Sequence, residues 1–297
     1  MALVRNVLII GAGLIGGSLA KAMRERGLAG HVVGYGRRPE PLQQGIELGV
    51  LDAVATDLPS AIAEADLIVL GVPTLTIKQY LPLLDKHRKA SAVVTDVASV
   101  KGEIARVLVE YFGSVPGWFV LGHPIAGSEQ SGIAASNASL YENHKVILTP
   151  DADTDADALK LVESIWQQVG ADVVCMSVDE HDKVLAATSH LPHALAFALV
   201  DALQGMESSH DIFRFAAGGF RDFTRIASSH PVMWHDIMLA NKDAVLDVMG
   251  EFRQTLDKLE TAIQQEDGEA ILAMFERAKK ARDDFSELLQ NREQGQA

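Results

Sequence analysis

His123 lies in Leu121-Gly122-His123-Pro124-Ile125-Ala126-Gly127-Ser128-Glu129, directly after a short apolar run. An imidazole titrates near neutrality, so it suits proton transfer. Pro124 restricts His123 to extended backbone, and Gly122 and Gly127 allow a ligand to come close. Three more segments are polar and stand at strand ends or helix turns. They are Asp96-Val97-Ala98-Ser99-Val100-Lys101, Thr188-Ser189-His190-Leu191-Pro192-His193, and Gly218-Gly219-Phe220-Arg221-Asp222-Phe223-Thr224-Arg225-Ile226, the last followed by Met233-Trp234. Of the ten histidines, His123 is the best placed, because it follows a strand at the edge where α/β sheets hold ligands. His230-Pro231 has no strand before it and reads as a helix start.

A second chemical signature is at the N-terminus. Val7-Leu8-Ile9-Ile10 runs straight into Gly11-Ala12-Gly13-Leu14-Ile15-Gly16, a G-x-G-x-x-G spacing, and a helix-prone segment follows. Gly11 permits the turn, Gly13 lets the backbone approach a pyrophosphate, and Gly16 lets the helix pack on the strand. Residues 11–16 are thus candidate dinucleotide contacts, with the phosphates on the helix N-terminus. The second strand ends Gly34-Tyr35-Gly36-Arg37-Arg38-Pro39, without the acid that holds the ribose 2′-hydroxyl of NAD. Arg37 and Arg38 suit a 2′-phosphate, although two solvated loop arginines would look the same. This favours NADP, or use of both cofactors, over strict NAD. Val72 and Pro73, after the strand Leu67–Leu70, are placed to lie along the nicotinamide half.

The elements that must position these groups fall into two halves. Strands are predicted at Val7–Ile10, His31–Tyr35, Leu67–Leu70, Ala92–Asp96, Phe119–Gly122, Lys145–Leu148 and Asp172–Cys175, alternating with helices. That alternation implies an α/β, doubly wound, mostly parallel sheet over residues 1–178. Residues 179–297 read as all-helical, with long helices at 179–205, 231–264 and 267–290 and a break near Asp267-Gly268. Their apolar character, with Met233, Trp234 and Met238 close together, suggests a helical homodimer interface. The tail from Asn291 to Ala297 is expected to fray.

Bulk properties agree with a soluble enzyme. The chain has 297 residues, 48% hydrophobic and 22% charged, with a net charge of −14, which argues against nucleic acid. Cys175 is the only cysteine, so no internal disulfide forms; Val173-Val174-Cys175-Met176 reads as a buried strand. No export signal or membrane span is apparent, which implies the cytoplasm. Asp151, Asp153, Asp155 and Asp157 alternate like a calcium loop but lack its glycine and final glutamate, and no Cys/His set has zinc spacing. No metal is expected.

Taken with the glycine loop, Gly122-His123-Pro124-Ile125-Ala126-Gly127-Ser128-Glu129 and Gly218-Gly219-Phe220-Arg221-Asp222-Phe223-Thr224-Arg225-Ile226 closely resemble the prephenate/arogenate dehydrogenases of tyrosine biosynthesis. The resemblance covers nearly the whole chain. It implies a Rossmann-type domain, a helical dimerisation domain, and oxidative decarboxylation of prephenate or arogenate with NAD(P). By this resemblance His123 is the catalytic histidine that accepts the ring-hydroxyl proton, and Ser99 orients it. Arg225 holds the ring carboxylate. His190 and His193 line the side-chain end, although their spacing alone equally suits a packed helix turn. Ser128, Glu129, Gly218 and Trp234 match pocket-lining positions. Asp96 and Lys101 fit a loop-fixing ion pair or cofactor contacts equally well. The length is expected to leave no room for an attached chorismate mutase or a full C-terminal regulatory domain beyond the helices, so tyrosine inhibition, where present, is expected to be competition at the active site. Rival readings are another Rossmann-plus-helical-dimer enzyme, such as a 3-hydroxyacid dehydrogenase or an imine reductase, and a non-catalytic nucleotide sensor.

Overall fold

Val7, Leu8, Ile9 and Ile10 are each at most 1% exposed, because their strand is covered on both faces. Val7 and Ile9 enter one apolar cluster, and Leu8 and Ile10 enter the other. Such two-sided burial makes a parallel strand read as an unbroken apolar run. The computed structural model describes residues 2–127, 130–207 and 209–293. The candidate pocket residues Ser128 and Glu129 lie outside the described residues.

In chain order the strands are β1 (Val4–Ile10), β2 (Ala29–Tyr35), β3 (Ala53–Val54), β4 (Leu67–Leu70), β5 (Val93–Asp96), β6 (Phe119–Val120), β7 (Gly122–Pro124), β8 (Lys145–Leu148) and β9 (Asp172–Cys175). Six of them form a parallel sheet in the order β3-β2-β1-β4-β5-β6. The order reverses between β1 and β4, and that switch point at the carboxyl ends is where such sheets bind ligands. The other three make a second sheet, β7 antiparallel to β8 and β8 parallel to β9.

Two strand expectations change. The predicted strand Phe119–Gly122 divides at Leu121: β6 closes the parallel sheet, and β7 carries His123 into the second sheet. Strand β3 has only two residues, too few for a period of alternation to register. Cys175 also departs from the sequence reading. It is exposed, because β9 is the edge of the small sheet.

Beyond Cys175 the described residues contain helices only. The run predicted at 179–205 is Val178–Leu185 and Leu191–Gln204, joined by a π-helical turn at Ala186–His190. The run at 231–264 divides at Asn241 into Pro231–Ala240 and Lys242–Gln264. Helix Gly268–Glu293 follows, its first turn capped by Asp267, whose Oδ1 accepts from Ala270 N at 3.0 Å. That helix includes Asn291, where fraying was expected to begin; residues 294–297 lie outside the described ones. Short helices at Ser209–Arg214 and Gly218–Thr224 lacked a periodic signal. The chain forms two compact units, Met1–Val245 and Leu246–Ala297.

By length and composition alone, Val178–Gln204 could cross a membrane, contrary to the sequence reading that no such span exists. Yet this run carries His181, Asp182 and His190, all buried and all hydrogen-bonded to polar partners inside the first unit. Those partners tie the run to the rest of that unit.

Candidate active site

The glycine loop has the geometry its spacing demands. Gly11 has φ +91°, and a Cβ there would come within 2.5 Å of the Gly71 carbonyl oxygen, so the loops after β1 and β4 touch backbone to backbone. At Gly16 a Cβ would stand 2.9 Å from Ile9 Cγ2, which fixes how closely helix Leu14–Glu25 lies on β1. A Cβ on Gly13, by contrast, would meet nothing within 4 Å, and the helix it precedes has no side-chain cap. The helix N-terminus therefore faces open space with its dipole uncapped, which suits a phosphate. Arg37 and Arg38 are exposed just past β2. Val72 is half-buried and Pro73 exposed after β4, and the 3₁₀ turn Thr74–Gln79 that follows packs against helix Pro231–Ala240.

The β5 loop is pinned to the strand that bears His123. Lys101 and Asp96 are completely buried and form an ion pair. Asp96 also accepts from Ala98 N at 2.9 Å and Gly122 N at 3.3 Å, while Lys101 Nζ donates to the Gly122 carbonyl at 2.6 Å. Burial pushes Asp96 up and Lys101 down, and each charge opposes that by stabilising the other. Of the two roles left open for this pair, the loop-fixing one matches the geometry. Ser99 is half-buried in the same loop, two residues before Lys101.

His123 is buried, and its Nδ1 lies 2.9 Å from His181 Nε2. His181 Nδ1 in turn lies 2.7 Å from Asp182 Oδ1. Asp182 also accepts from the backbone N–H groups of Lys101 at 2.9 Å and Gly102 at 2.8 Å, at the start of helix Gly102–Phe112. Burial, with His181, Lys101 and His190 nearby, holds His123 well below its ordinary pKa of 6.5. Burial also lowers His181, although Asp182 partly offsets it. Burial alone would raise Asp182, but its hydrogen bonds from His181, Lys101 and Gly102 leave it below the usual carboxylate range. Neutral imidazoles beside an ionised carboxylate result.

His190 is buried and pushed down to about 4, chiefly by burial; its Nδ1 is 3.0 Å from Asn241 Nδ2. That amide also donates to the Asp182 carbonyl at 2.8 Å. His193 stacks on Trp234 with centroids 3.5 Å apart, and His190 meets the same indole edge-on at 6.2 Å. Trp234 packs with Val100 and Ile237, and its Nε1 is a buried donor with no acceptor among the described residues. Trp234 is thus packed beside His190 and His193 and is not part of an exposed apolar patch, whereas Met233 is exposed. Arg225 starts the 3₁₀ turn after Gly218–Thr224, and its charge reaches His193. Gly218 is exposed, with nothing within 4 Å of a Cβ position.

The structure therefore gathers His123, Ser99, His190, His193 and Trp234 around the loop after β5 and strand β7, with Arg225 near His193. Sequence reasoning missed His181, Asp182 and Asn241. The available signal was an acid–imidazole pair four residues after the helix-capping Ser177.

The family model for the prephenate dehydrogenase nucleotide-binding domain matches residues 19–175, and that for the prephenate dehydrogenase dimerization domain matches residues 177–277. A cyclohexadienyl dehydrogenase from Zymomonas mobilis is 38% identical over 285 residues, covering 95% of this chain and 96% of its own. The crystal structure of prephenate dehydrogenase from A. aeolicus, in complex with hydroxyphenyl propionate and NAD+, is similar with a TM-score of 0.88 at 40% identity, covering 95% of this chain and 98% of its own. Synechocystis arogenate dehydrogenase is similar with a TM-score of 0.79 at 30% identity, covering 94% and 99%. A six-stranded dinucleotide-type sheet, a buried imidazole at its ligand edge and likeness along nearly the whole length lead to one conclusion: the chain belongs to the prephenate dehydrogenase family.

Proposed function

We propose that this chain catalyses oxidative decarboxylation of prephenate to 4-hydroxyphenylpyruvate, of arogenate to tyrosine, or of both. Its cofactor is NADP by preference, or NAD, and it acts as a cytoplasmic homodimer in tyrosine biosynthesis. The observation that carries the reading is His123: buried, held neutral, and on a strand tied through Gly122 to Asp96 at the carboxyl end of β5. By function, residues 1–178 bind the cofactor and residues 179–297 supply substrate contacts and the dimer surface. Exposed Phe223, Val232, Met233 and Leu239 support such a surface in the first unit, and Leu256, Leu272, Phe275 and Phe285 do so in the second.

Residues 11–16 hold the pyrophosphate, with Gly13 leaving room for it. Arg37 and Arg38 receive the 2′-phosphate, and Val72 and Pro73 flank the nicotinamide. When bound, the cofactor accepts a hydride from the ring carbon that bears the hydroxyl. His123 takes the hydroxyl proton as that oxygen becomes carbonyl-like, with Ser99 orienting the pair. The ring carboxylate then leaves as carbon dioxide as the ring becomes aromatic, and His123 returns the proton to the phenolate oxygen. No net proton is released. Arg225 fixes the ring carboxylate and so the ring's angle; His190, His193, Trp234, Gly218, Ser128 and Glu129 line the rest of the pocket.

The test is a two-by-two initial-rate assay crossing prephenate and arogenate with NAD and NADP. Turnover in at least one combination is expected, fastest with NADP. A folded dimer that binds cofactor but turns over neither substrate would refute the reading.

A further inference from the structure

We propose that Asp182 and His181 are positioning residues that fix the tautomer of His123, placing its proton on Nδ1 and leaving Nε2 as the acceptor. The consequence for turnover rests on the dehydrogenase reading above; the tautomer itself rests on hydrogen-bond direction between neutral imidazoles.

The chain of direction starts at the carboxylate. An ionised carboxylate only accepts, so the 2.7 Å contact requires the proton of His181 to be on Nδ1. A neutral His181 then presents a lone pair at Nε2. The 2.9 Å contact to His123 Nδ1 is a hydrogen bond only if His123 carries its proton there. Nε2 of His123 is thereby bare and ready to take a hydroxyl proton. Both imidazoles are held neutral near pH 7 by burial.

The carboxylate is itself fixed. Asp182 Oδ1 and Oδ2 take the backbone N–H groups of Lys101 and Gly102, and Asn241 holds its carbonyl. Asn241 Nδ2 also donates to His190 Nδ1, so His190 carries its proton on Nε2. One network thus sets three imidazoles. Without it, a neutral histidine distributes its proton between both nitrogens, and a proton on Nε2 would block the base.

The first test needs no substrate. Long-range ¹H–¹⁵N correlation of the unmodified protein near pH 7 is expected to show His123 and His181 protonated on Nδ1 and bare on Nε2. A proton on His123 Nε2 overturns the proposal. The second test is kinetic. Asp182→Asn exchanges one of the two acceptor oxygens for an N–H, so the bonds from His181, Lys101 and Gly102 cannot all be kept, and His181→Leu breaks the chain; each is expected to lower kcat by about 10²- to 10⁴-fold. KM and the Kd for reduced cofactor are expected to stay within a few-fold. His181→Gln keeps the direction, since its N–H can face Asp182 and its oxygen can accept from His123. It is expected to restore kcat to within about tenfold of the unmodified protein. If Asp182→Asn and His181→Leu turn over within threefold of the unmodified protein, the proposal fails. Should Asp182→Asn not fold, the His181 pair and the spectrum decide. If the unmodified protein turns over neither substrate, the dehydrogenase reading fails and the spectrum still decides the tautomer.

Discussion

Lys101 Nζ donates to the carbonyl of Gly122 at 2.6 Å, so a buried ammonium on the β5 loop holds the residue immediately before His123. The same ammonium is paired with Asp96, which accepts from the Gly122 N–H. Both polar groups of Gly122 are thereby tied to one ion pair. Lys101→Met leaves the Asp96 charge without its partner and is expected to cost about 3–5 kcal/mol, because removing half of a buried pair strands the other half. A denaturant midpoint measured beside the unmodified protein checks this; a shift worth under about 1 kcal/mol would contradict the clamp.

His123→Asn and Arg225→Ala separate chemistry from binding. His123→Asn removes the proton acceptor, so kcat should fall by about 10²- to 10⁴-fold with little change in cofactor affinity. Arg225→Ala removes a charged contact to the substrate carboxylate, so KM should rise by roughly 10- to 100-fold with a smaller change in kcat. Steady-state kinetics and cofactor titration distinguish the two. Near-normal turnover by His123→Asn contradicts its role as base.

Two glycines of one loop should respond differently. Gly11→Ala meets both a positive φ and the Gly71 carbonyl, and is expected to lower the melting temperature. Gly13→Ala adds a methyl group to open space and should leave stability unchanged while raising the Kd for NADP several-fold. If cofactor affinity survives Gly13→Ala, the pyrophosphate does not lie against that backbone.

Stability should fall on mild acidification. His190 is held at about 4 against an ordinary 6.5, and His123 and His181 are shifted the same way. The unfolded chain therefore binds more protons than the folded one below pH 6.5, and the folded state loses ground as pH falls. His190 alone accounts for about 3 kcal/mol by pH 4. Denaturant melts from pH 7.5 down to pH 5 should show a progressive decline. A flat profile would mean these imidazoles charge freely in the fold.

What the sequence revealed follows from which features repeat locally. Gly11, Gly13 and Gly16 declare themselves because their spacing is set within one turn, and Val7–Ile10 because two-sided burial needs no distant information. His123 was legible from its flanking Gly122 and Pro124. His181 was not, because its partner stands 58 residues away and no local rule links them. The break at Leu121 was hidden for a related reason. An apolar run looks the same whether it stays in one sheet or crosses to another, and only the pairing of Pro124 with Val146 distinguishes the two. Cys175 was misplaced because apolar neighbours suggest burial, whereas an edge strand exposes them.

The π-turn at Ala186–His190 has a consequence for phase. His181 and His190 are nine residues apart, and at about 100° per residue an unbroken α-helix would set them on opposite sides, roughly 180° apart. A wider turn absorbs about one residue and brings them to roughly 80°, so that both face one interior. The extra residue works as a frame correction written into the helix. Insertions and deletions here should therefore matter more than substitutions: losing one residue outside the turn would rotate His190 and His193 out of phase with His181 while leaving every side chain in the pocket chemically unaltered.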